Sequence, residues 1–243
     1  MNDLIEKLKS AKRIAAFTGA GVSTLCGIPD FRGPQGLYKH ADAERIFDIN
    51  WFERDPSIYY NGCKELIYGL GKYQPGPVHK ALVTLEKKLG TFGGVITQNI
   101  DMLHQKAGSS VVYEVHGSPI RHHCTGCGRV KTYDEILEML KKEEVAHCEY
   151  CGAPFKPDVT FFGEALPEEA FRNAIDLACG ADLMLVLGTS LTVHPAAGIP
   201  RLTLQGGGEV VLVNGQPTSL DDEACIRMDD LAEFAKIIEE AFA

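Results

Sequence analysis

Five short apolar segments, each ending in a polar or glycine-rich turn, constrain the fold of this 243-residue chain more than any other feature. They are RIAAFTG (13–19), GGVITQ (93–98), VVYEV (111–115), ADLMLVLG (181–188) and EVVLVNG (209–215). Helical periodicity covers 53–70, 78–89, the stretch opened by Pro195 and the C-terminal 229–243. This alternation predicts an α/β fold, with a Rossmann-like parallel sheet and helices on both of its faces. Such sheets bind ligands at the carboxyl ends of their strands.

The cysteines carry a second strong pattern. Cys124-x2-Cys127 is followed after twenty residues by Cys148-x2-Cys151. Two such knuckles predict a structural zinc ribbon, because four thiolates complete a tetrahedral shell and leave no position open for chemistry. Four unrelated thiols are the alternative, which this spacing disfavours.

Net charge and hydropathy argue against two classes of partner, nucleic acids and membranes. The net charge of −9 disfavours a binder of nucleic-acid backbones, whose affinity depends on clustered Lys and Arg. No apolar run approaches the length of about 20 residues needed to cross a bilayer. The N-terminal MNDLIEKLKSAKR is too charged for a secretory signal. We therefore expect a cytoplasmic protein with no specific nucleic-acid partner and no membrane association.

The segment GAGVSTLCGIPDFRG (19–33) begins like a dinucleotide-binding loop and ends differently. Gly19-x-Gly21 after a strand lets the backbone approach a pyrophosphate. The next glycine, Gly27, comes six residues after Gly21 instead of three, and no Gly-Lys-Ser/Thr follows to make a P-loop. Arg32 could pair with phosphate, although Asp30 and Arg32 could equally form a local ion pair that orders the loop.

Other strand ends also carry polar groups. In TQNID (97–101), the side chains of Asn99 and Asp101 suit ribose hydroxyls or a carboxamide. His116 follows VVYEV and is either a general base, since imidazole titrates near neutral pH, or a structural histidine. The turn GTS (188–190) offers backbone and hydroxyl groups to phosphate or ribose.

Taken in order, the motifs GAGVSxxxGIPDFRG, TQNID, VHGS, the paired knuckles, FFGE, GTSLTVHPAA and LVNGQPT resemble the sirtuin family of NAD-dependent protein-lysine deacylases, in its minimal prokaryotic form. The resemblance covers nearly the whole chain. It implies a Rossmann-like NAD-binding domain formed by 1–29, 76–120 and 157–243. A small domain with a helical insertion and the zinc ribbon would comprise 30–75 and 121–156.

The resemblance also implies a reaction in which NAD is consumed. The acyl oxygen of an acyl-lysine attacks the nicotinamide ribose as nicotinamide leaves. A histidine base then activates a ribose hydroxyl, and the products are free lysine and O-acyl-ADP-ribose. The implied partners are acyl-lysine proteins or peptides, and the zinc ion remains structural.

Roles are carried over from the family residue by residue. The catalytic set is His116 as base, with Asn99 and Asp101 holding ribose and carboxamide. The NAD-binding set is Gly19, Ala20, Gly21, Ser23, Thr24, Asp30, Phe31, Arg32, Gln98, Asn99, Ile100, Asp101, Gly188, Thr189, Ser190, Asn214, Gly215 and Leu231. The peptide is expected between FFGE (161–164) and TSLTVHP (189–195), with contacts from Val159, Phe162, Gly163, Glu164 and Val193.

Departures from the family pattern refine this hypothesis. Relatives that remove succinyl or malonyl groups carry a Tyr-x-x-Arg pair, and the matching positions here are Tyr60 and Cys63. Without the arginine, an anionic acyl group loses a charge-assisted partner, so we predict neutral acyl groups, chiefly acetyl. Thr160 replaces an aliphatic residue before FFGE, and Cys26 is expected to pack rather than to act as a nucleophile.

Three other functions remain open from the sequence. The same NAD chemistry could serve mono-ADP-ribosyl transfer, and a zinc-ribbon module could bind NAD only as a sensor. A dehydrogenase is disfavoured by the spacing from Gly21 to Gly27.

Overall fold

The computed structural model describes residues 2–30 and 43–242. In chain order the strands are β1 Ile14–Thr18, β2 Phe92–Thr97, β3 Val112–Glu114, β4 Gly117–Cys124, β5 Val130–Thr132, β6 Phe155–Val159, β7 Leu183–Leu187, β8 Glu209–Val213 and β9 Ile226–Met228. The helices are α1 Asn2–Ser10, α2 Gly21–Thr24, α3 Ala43–Ile46, α4 Ile49–Arg54, α5 Ser57–Cys63, α6 Pro77–Lys88, α7 Leu103–Ala107, α8 Tyr133–Leu140, α9 Glu168–Gly180, α10 Ile199–Gln205 and α11 Leu231–Phe242. Short 3-10 helices cover Leu70–Lys72 and Ala196–Gly198. Within the described ranges, none of these helices combines the length and the apolar character that crossing a bilayer requires.

The chain divides into two compact units. The first takes its described residues from Met1–Asp30, Gln74–Val115 and Glu168–Ala243. The second takes them from Phe31–Tyr73 and His116–Pro167.

The first unit is built on a parallel sheet with the strand order β3-β2-β1-β7-β8-β9. Every residue of the central strands β1 and β7 is buried, as expected from their sequences, which are apolar except for Thr18 at the end of β1. Helices α1, α6 and α11 cover the sheet with an apolar core that includes Leu8, Leu82, Leu85, Phe234 and Ile238. Each such side chain contributes about 1.5–3 kcal/mol when fully buried. The predicted Rossmann-like parallel sheet is confirmed.

The second unit contains an antiparallel sheet with the strand order β5-β4-β6. Helix α8 follows β5 and begins with a capping box, in which Thr132 and Glu135 satisfy each other's backbone N–H groups. A cluster of aromatic rings forms the core of this unit and comes from the turn between α3 and α4, from α4 and α5, and from the segment after β6. Its edge-to-face contacts join Phe47, Phe52, Tyr59 and Phe161.

Two predicted helices are wrong in detail. The periodic segment 53–70 is divided, because α4 ends at Arg54 and Asp55 adopts an extended conformation before α5 begins at Ser57. Pro56 explains the break, since proline disfavours helical backbone at the residue before it. The helix expected from Pro195 onward is a 3-10 turn followed by α10, which carries Pro200 in its first turn.

Candidate functional site

Two backbone turns at the carboxyl ends of β1 and β7 lie in direct contact. The Gly21 N–H donates to the Gly188 carbonyl at 2.8 Å, and the Gly19 N–H donates to the Leu187 carbonyl at 3.0 Å. A Cβ on Gly188 would lie 2.6 Å from the backbone nitrogen of Val22, and the φ of +62° at Gly188 favours glycine as well. The glycines therefore let the two turns approach at the edge where a parallel sheet binds its ligands.

Next to these turns, three predicted site residues form one buried network. The Ser23 hydroxyl donates to Oδ2 of Asp101 at 2.6 Å, and Nδ2 of Asn99 donates to the Ser23 hydroxyl oxygen at 3.2 Å. The other oxygen of Asp101 accepts the backbone N–H of Leu103 at 2.9 Å, at the start of α7. The folded chain thus brings a hydroxyl, an amide and a carboxylate together in fixed orientations. These groups can hold ribose hydroxyls and a carboxamide.

A second layer of polar groups supports this network and was not predicted from the sequence. Thr18 and Thr97 end neighbouring strands in register, and their hydroxyls are 2.8 Å apart. The Thr18 hydroxyl also lies 2.9 Å from Nε2 of His104, and the Thr97 hydroxyl oxygen accepts the backbone N–H of Asn99. Burial lowers the pKa of His104 well below its usual value, so its imidazole is neutral. Threonine at the last position of two adjacent strands was the signal in the sequence.

The imidazole of His104 has a neighbour in His79, with ring centroids 4.7 Å apart. Burial likewise lowers the pKa of His79, whose Nδ1 accepts the backbone N–H of Gly76 and lies 3.8 Å from Sγ of Cys26. Burial raises the pKa of the Cys26 thiol, which keeps it protonated and unreactive at neutral pH. That Cys26 packs and does not act as a nucleophile therefore stays a prediction.

The remaining NAD-binding predictions lie around these groups. Nε2 of Gln98 donates to the Thr189 hydroxyl at 2.8 Å, which joins the ends of β2 and β7. The Ser190 hydroxyl lies 3.0 Å from that of Thr192, and Nδ2 of Asn214 donates to the Gln216 carbonyl. Ala20, Ile100, Asp30 and Leu231 are half-buried, Thr24 and Gly215 are exposed, and Phe31 and Arg32 lie outside the described residues.

Leu231 has a different environment from the rest of the predicted set. It begins α11 and packs against the apolar core of the first unit. Val193, predicted to contact substrate, also lies in the first unit, where its carbonyl accepts the N–H of Ala197.

The four-cysteine cluster of Cys124, Cys127, Cys148 and Cys151 lies in the second unit. All four sulfur atoms are within 4.8 Å of one another, and the pairs Cys124–Cys151 and Cys127–Cys148 are separated by 3.3 and 3.7 Å. Sulfur atoms bound to one zinc ion at about 2.3 Å are separated by about 3.8 Å at tetrahedral angles. Burial opposes ionisation of Cys124, but hydrogen-bond donors, led by the Cys127 N–H, lower the pKa of its thiol to about 6. The residues fit a closed zinc site.

The predicted base and most of the predicted substrate contacts also lie in the second unit. His116 is half-buried, and its carbonyl accepts the Thr160 N–H at 2.9 Å. Val159 ends β6 and is buried, whereas Phe162 is 43% exposed. Gly163 has a φ of +96°, and a Cβ there would lie 2.9 Å from Cγ2 of Ile49. One oxygen of the Glu164 side chain faces inward, where it accepts the Phe161 N–H at 2.8 Å.

Tyr60 and Cys63, which the sequence comparison matched to the Tyr-x-x-Arg pair, are both buried. The Tyr60 hydroxyl donates to the Phe155 carbonyl at 2.7 Å, and Cys63 is 0% exposed. Burial raises the pKa of the Tyr60 hydroxyl, and it raises the pKa of the Cys63 thiol well above its usual value. These two positions offer no cationic group.

The fold and this site define an α/β nucleotide-binding protein that also has a four-cysteine cluster able to hold a metal ion. The family model described as "Sir2 family" matches residues 19–195. An NAD-dependent protein deacetylase from Thermotoga maritima is 41% identical over 99% of this chain and 97% of its own length. An NAD-dependent protein deacetylase from Saccharolobus solfataricus is 42% identical over 90% of this chain and 87% of its own.

The solved structures that are similar to this chain also belong to Sir2 proteins. Sir2 with a deacetylated p53 peptide and 3'-O-acetyl ADP ribose matches with a TM-score of 0.95 and 40% identity, over 100% of this chain and 99% of that one. Sir2Tm bound to a propionylated peptide matches with a TM-score of 0.90 and 38% identity, over 99% and 97% of the two chains. The chain belongs to the Sir2 family, which confirms the resemblance to sirtuins found in the sequence.

Proposed function

We propose that this protein removes acyl groups, chiefly acetyl, from lysine side chains of proteins and consumes NAD in the reaction. The observation that carries the proposal is the buried network of Ser23, Asn99 and Asp101 at the carboxyl ends of the sheet. Its hydroxyl, amide and carboxylate match the groups that an NAD ribose and carboxamide require. Relatives that share about two fifths of the sequence are named NAD-dependent protein deacetylases.

The proposed reaction proceeds in two stages. The acyl oxygen forms a bond to C1' of the nicotinamide ribose as the glycosidic bond breaks and nicotinamide departs with the bonding electron pair. We assign His116 as the base that accepts a proton from a ribose hydroxyl, whose oxygen then attacks the acyl carbon. This attack gives an intermediate in which two ribose oxygens are bonded to the acyl carbon, and the lysine amine leaves from that carbon with the proton that His116 accepted. A water molecule then adds to the acyl carbon, the bond from this carbon to the C1' oxygen breaks, and the product is O-acyl-ADP-ribose. Asn99 and Asp101 hold the ribose and the carboxamide in position for the first stage.

Contacts further along NAD are proposed in the same way. The turns containing Gly19, Gly21 and Gly188 are proposed to admit the pyrophosphate, because glycines at the carboxyl end of a strand let a ligand approach the main chain closely. Thr189 and Asn214 are buried and would contact the adenosine half, together with the half-buried Ser190. The full set of NAD contacts proposed is the one predicted from the sequence.

The four-cysteine cluster would hold one zinc ion with a structural role. Cys124 is the last residue of β4 and Cys127 follows it, whereas Cys148 and Cys151 precede β6. A bound ion would therefore join the ends of neighbouring strands of the second unit. A thiolate zinc site also suits a reducing compartment, which supports a cytoplasmic location as part of the proposal.

The substrate is proposed to be an extended acyl-lysine peptide that binds along residues Val159, Phe162, Gly163 and Glu164. The N–H and carbonyl of Phe162 already bond to Phe47 and Ile49, so a peptide would pair with the main chain of Gly163 and with the Glu164 carbonyl. Val193 is a proposed substrate contact on the first unit. Buried Tyr60 and Cys63 supply no cation, which supports a preference for neutral acyl groups.

The test follows acyl loss and nicotinamide release in the same reaction. The protein is mixed with NAD and a peptide that carries acetyl-, myristoyl- or succinyl-lysine, and peptide mass and nicotinamide are measured together. We expect one nicotinamide for each acyl group lost from the acetyl peptide, and little reaction with the succinyl peptide. Nicotinamide release with the acyl group intact would instead indicate ADP-ribosyl transfer or NAD hydrolysis. Binding of NAD without any nicotinamide release would indicate a sensor.

A further inference from the structure

Lys156 is a buried cation that the proposed reaction does not use. It lies on β6 and is 3% exposed, although lysine is almost never buried without a partner. Burial lowers its pKa, an effect opposed by the neighbouring Glu164 carboxylate. A charge in this position is costly unless the fold satisfies it completely.

Each of the three ammonium donors of Lys156 has an acceptor. Nζ lies 2.7 Å from Oε2 of Glu164, 2.9 Å from the Val159 carbonyl and 3.2 Å from the Pro157 carbonyl. It also lies 4.1 Å from the centroid of the Phe161 ring, which adds a cation–π contact. One side chain thus joins the end of β6 to the turn that follows it.

The carboxylate of Glu164 completes the arrangement. The oxygen that binds Lys156 also accepts the Phe161 N–H at 2.8 Å, and the Glu164 N–H donates to the Phe161 carbonyl at 3.0 Å. The turn 161–164 is therefore closed by two hydrogen bonds, one of which depends on a carboxylate held by Lys156. Between them stands Gly163, whose own N–H and carbonyl make no hydrogen bond to any described residue.

We propose that Lys156 is a positioning residue for substrate, which holds the turn 161–164 in the conformation that presents the Gly163 main chain to an acyl-lysine peptide. The proposal rests on the proposed function and deepens it. In this arrangement the Glu164 side chain and N–H stabilise the turn, and the Gly163 main chain and the Glu164 carbonyl are left for the peptide. Without the Lys156 ammonium group, the Glu164 carboxylate loses its ion pair and the Val159 carbonyl loses its hydrogen-bond donor. The turn 161–164 is then less firmly held in this conformation.

The experiment compares K156M, K156R and E164Q with the matched control K141M. Lys141 lies in the same unit and also pairs with a glutamate, but its side chain is 65% exposed. Affinity for an acetyl-lysine peptide is measured by fluorescence anisotropy without NAD, and KM and kcat are measured for peptide and for NAD. Circular dichroism and thermal melting establish that each variant is folded.

For K156M we expect a peptide Kd and KM raised by about tenfold or more, which corresponds to about 1.4 kcal/mol. The KM for NAD is expected to stay within about twofold, because nucleotide contacts are not changed. K156R keeps the charge and should remain within about threefold of the wild type. E164Q keeps an acceptor for the Phe161 N–H but loses the ion pair, so a rise of about threefold to tenfold is expected.

Several results would overturn the inference. The inference is wrong if K156M is folded and binds the peptide as tightly as K141M does. If K156M does not fold, the inference is wrong when a folded E164Q binds the peptide with wild-type affinity. K156R that loses as much affinity as K156M would show that volume matters and charge does not. A wild-type protein that neither binds the acetyl peptide nor releases nicotinamide would instead contradict the proposed function itself.

Discussion

Replacing Gly188 with alanine tests whether nucleotide binding depends on the contact between two backbone turns. The new Cβ would lie 2.6 Å from the Val22 nitrogen, where ordinary contacts begin at 3.4 Å, so the backbone would have to move by about 0.8 Å. The φ of +62° adds a cost of about 1–2 kcal/mol for any residue with a Cβ. Overpacking adds about 1–3 kcal/mol more.

The matched control is Gly207→Ala. Gly207 has a φ of +82°, but no described atom lies within 4 Å of a Cβ built there, so it carries the conformational cost without the clash. At about 2–4 °C per kcal/mol, the control should melt about 2–8 °C below the wild type and G188A about 4–20 °C below. The difference in melting temperature between G188A and G207A therefore measures the cost of the steric clash between the new Cβ and the Val22 backbone.

Calorimetric titration with NAD provides the decisive measurement. A displacement approaching 1 Å in a binding turn should weaken NAD binding by about tenfold or more in G188A. G207A should bind NAD like the wild type, because its backbone change is remote from the turns. If G188A binds NAD with unchanged affinity, or G207A loses as much, the turns do not form the nucleotide cradle.

Three further predictions concern the metal centre, the acyl preference and pH. Removal of zinc by a strong chelator should release one ion per chain and lower the melting temperature, as elemental analysis and calorimetry would show; full stability of the metal-free chain would contradict a structural role. Cys63→Arg should destabilise the protein by about 3–5 kcal/mol without conferring activity on succinyl-lysine, because the position is 0% exposed; stable protein that removes succinyl groups would refute this. Between pH 6.5 and 5 the free energy of unfolding should fall by about 1.4 kcal/mol per pH unit for each buried neutral imidazole, since the unfolded chain binds the proton first. His104→Gln should remove that contribution, and denaturant titrations with an unchanged pH slope would argue against a neutral His104.

The features that could be predicted from the sequence are those that depend on a short, local pattern of residues. The apolar runs that became β1 and β7 are buried on both faces, and the spacing of the four cysteines places all four sulfur atoms together. The prediction of a single helix over 53–70 was wrong at Pro56. Proline interrupts the helix there, although the apolar periodicity continues on both sides.

The parts that escaped prediction depend on pairing between distant segments. The hydrogen bonds among Thr18, Thr97 and His104 form because β1 and β2 pair in one particular register. The sequence alone does not give this register, so these hydrogen bonds could not be predicted. Lys156 was missed for another reason. Lysine is ordinarily a surface residue, and its acceptors are two backbone carbonyls and a glutamate that follow it along the chain.

The strand order of the first unit has a consequence for synthesis on the ribosome. β1 pairs on one side with β2 and on the other with β7, which is translated much later. At the usual elongation rates of about 5–20 residues per second, this largely apolar strand remains without its second neighbour for a time on the order of ten seconds. A nascent chain stalled before β7 therefore presents an unpaired, aggregation-prone edge, and it is a natural client for chaperones that capture extended apolar segments.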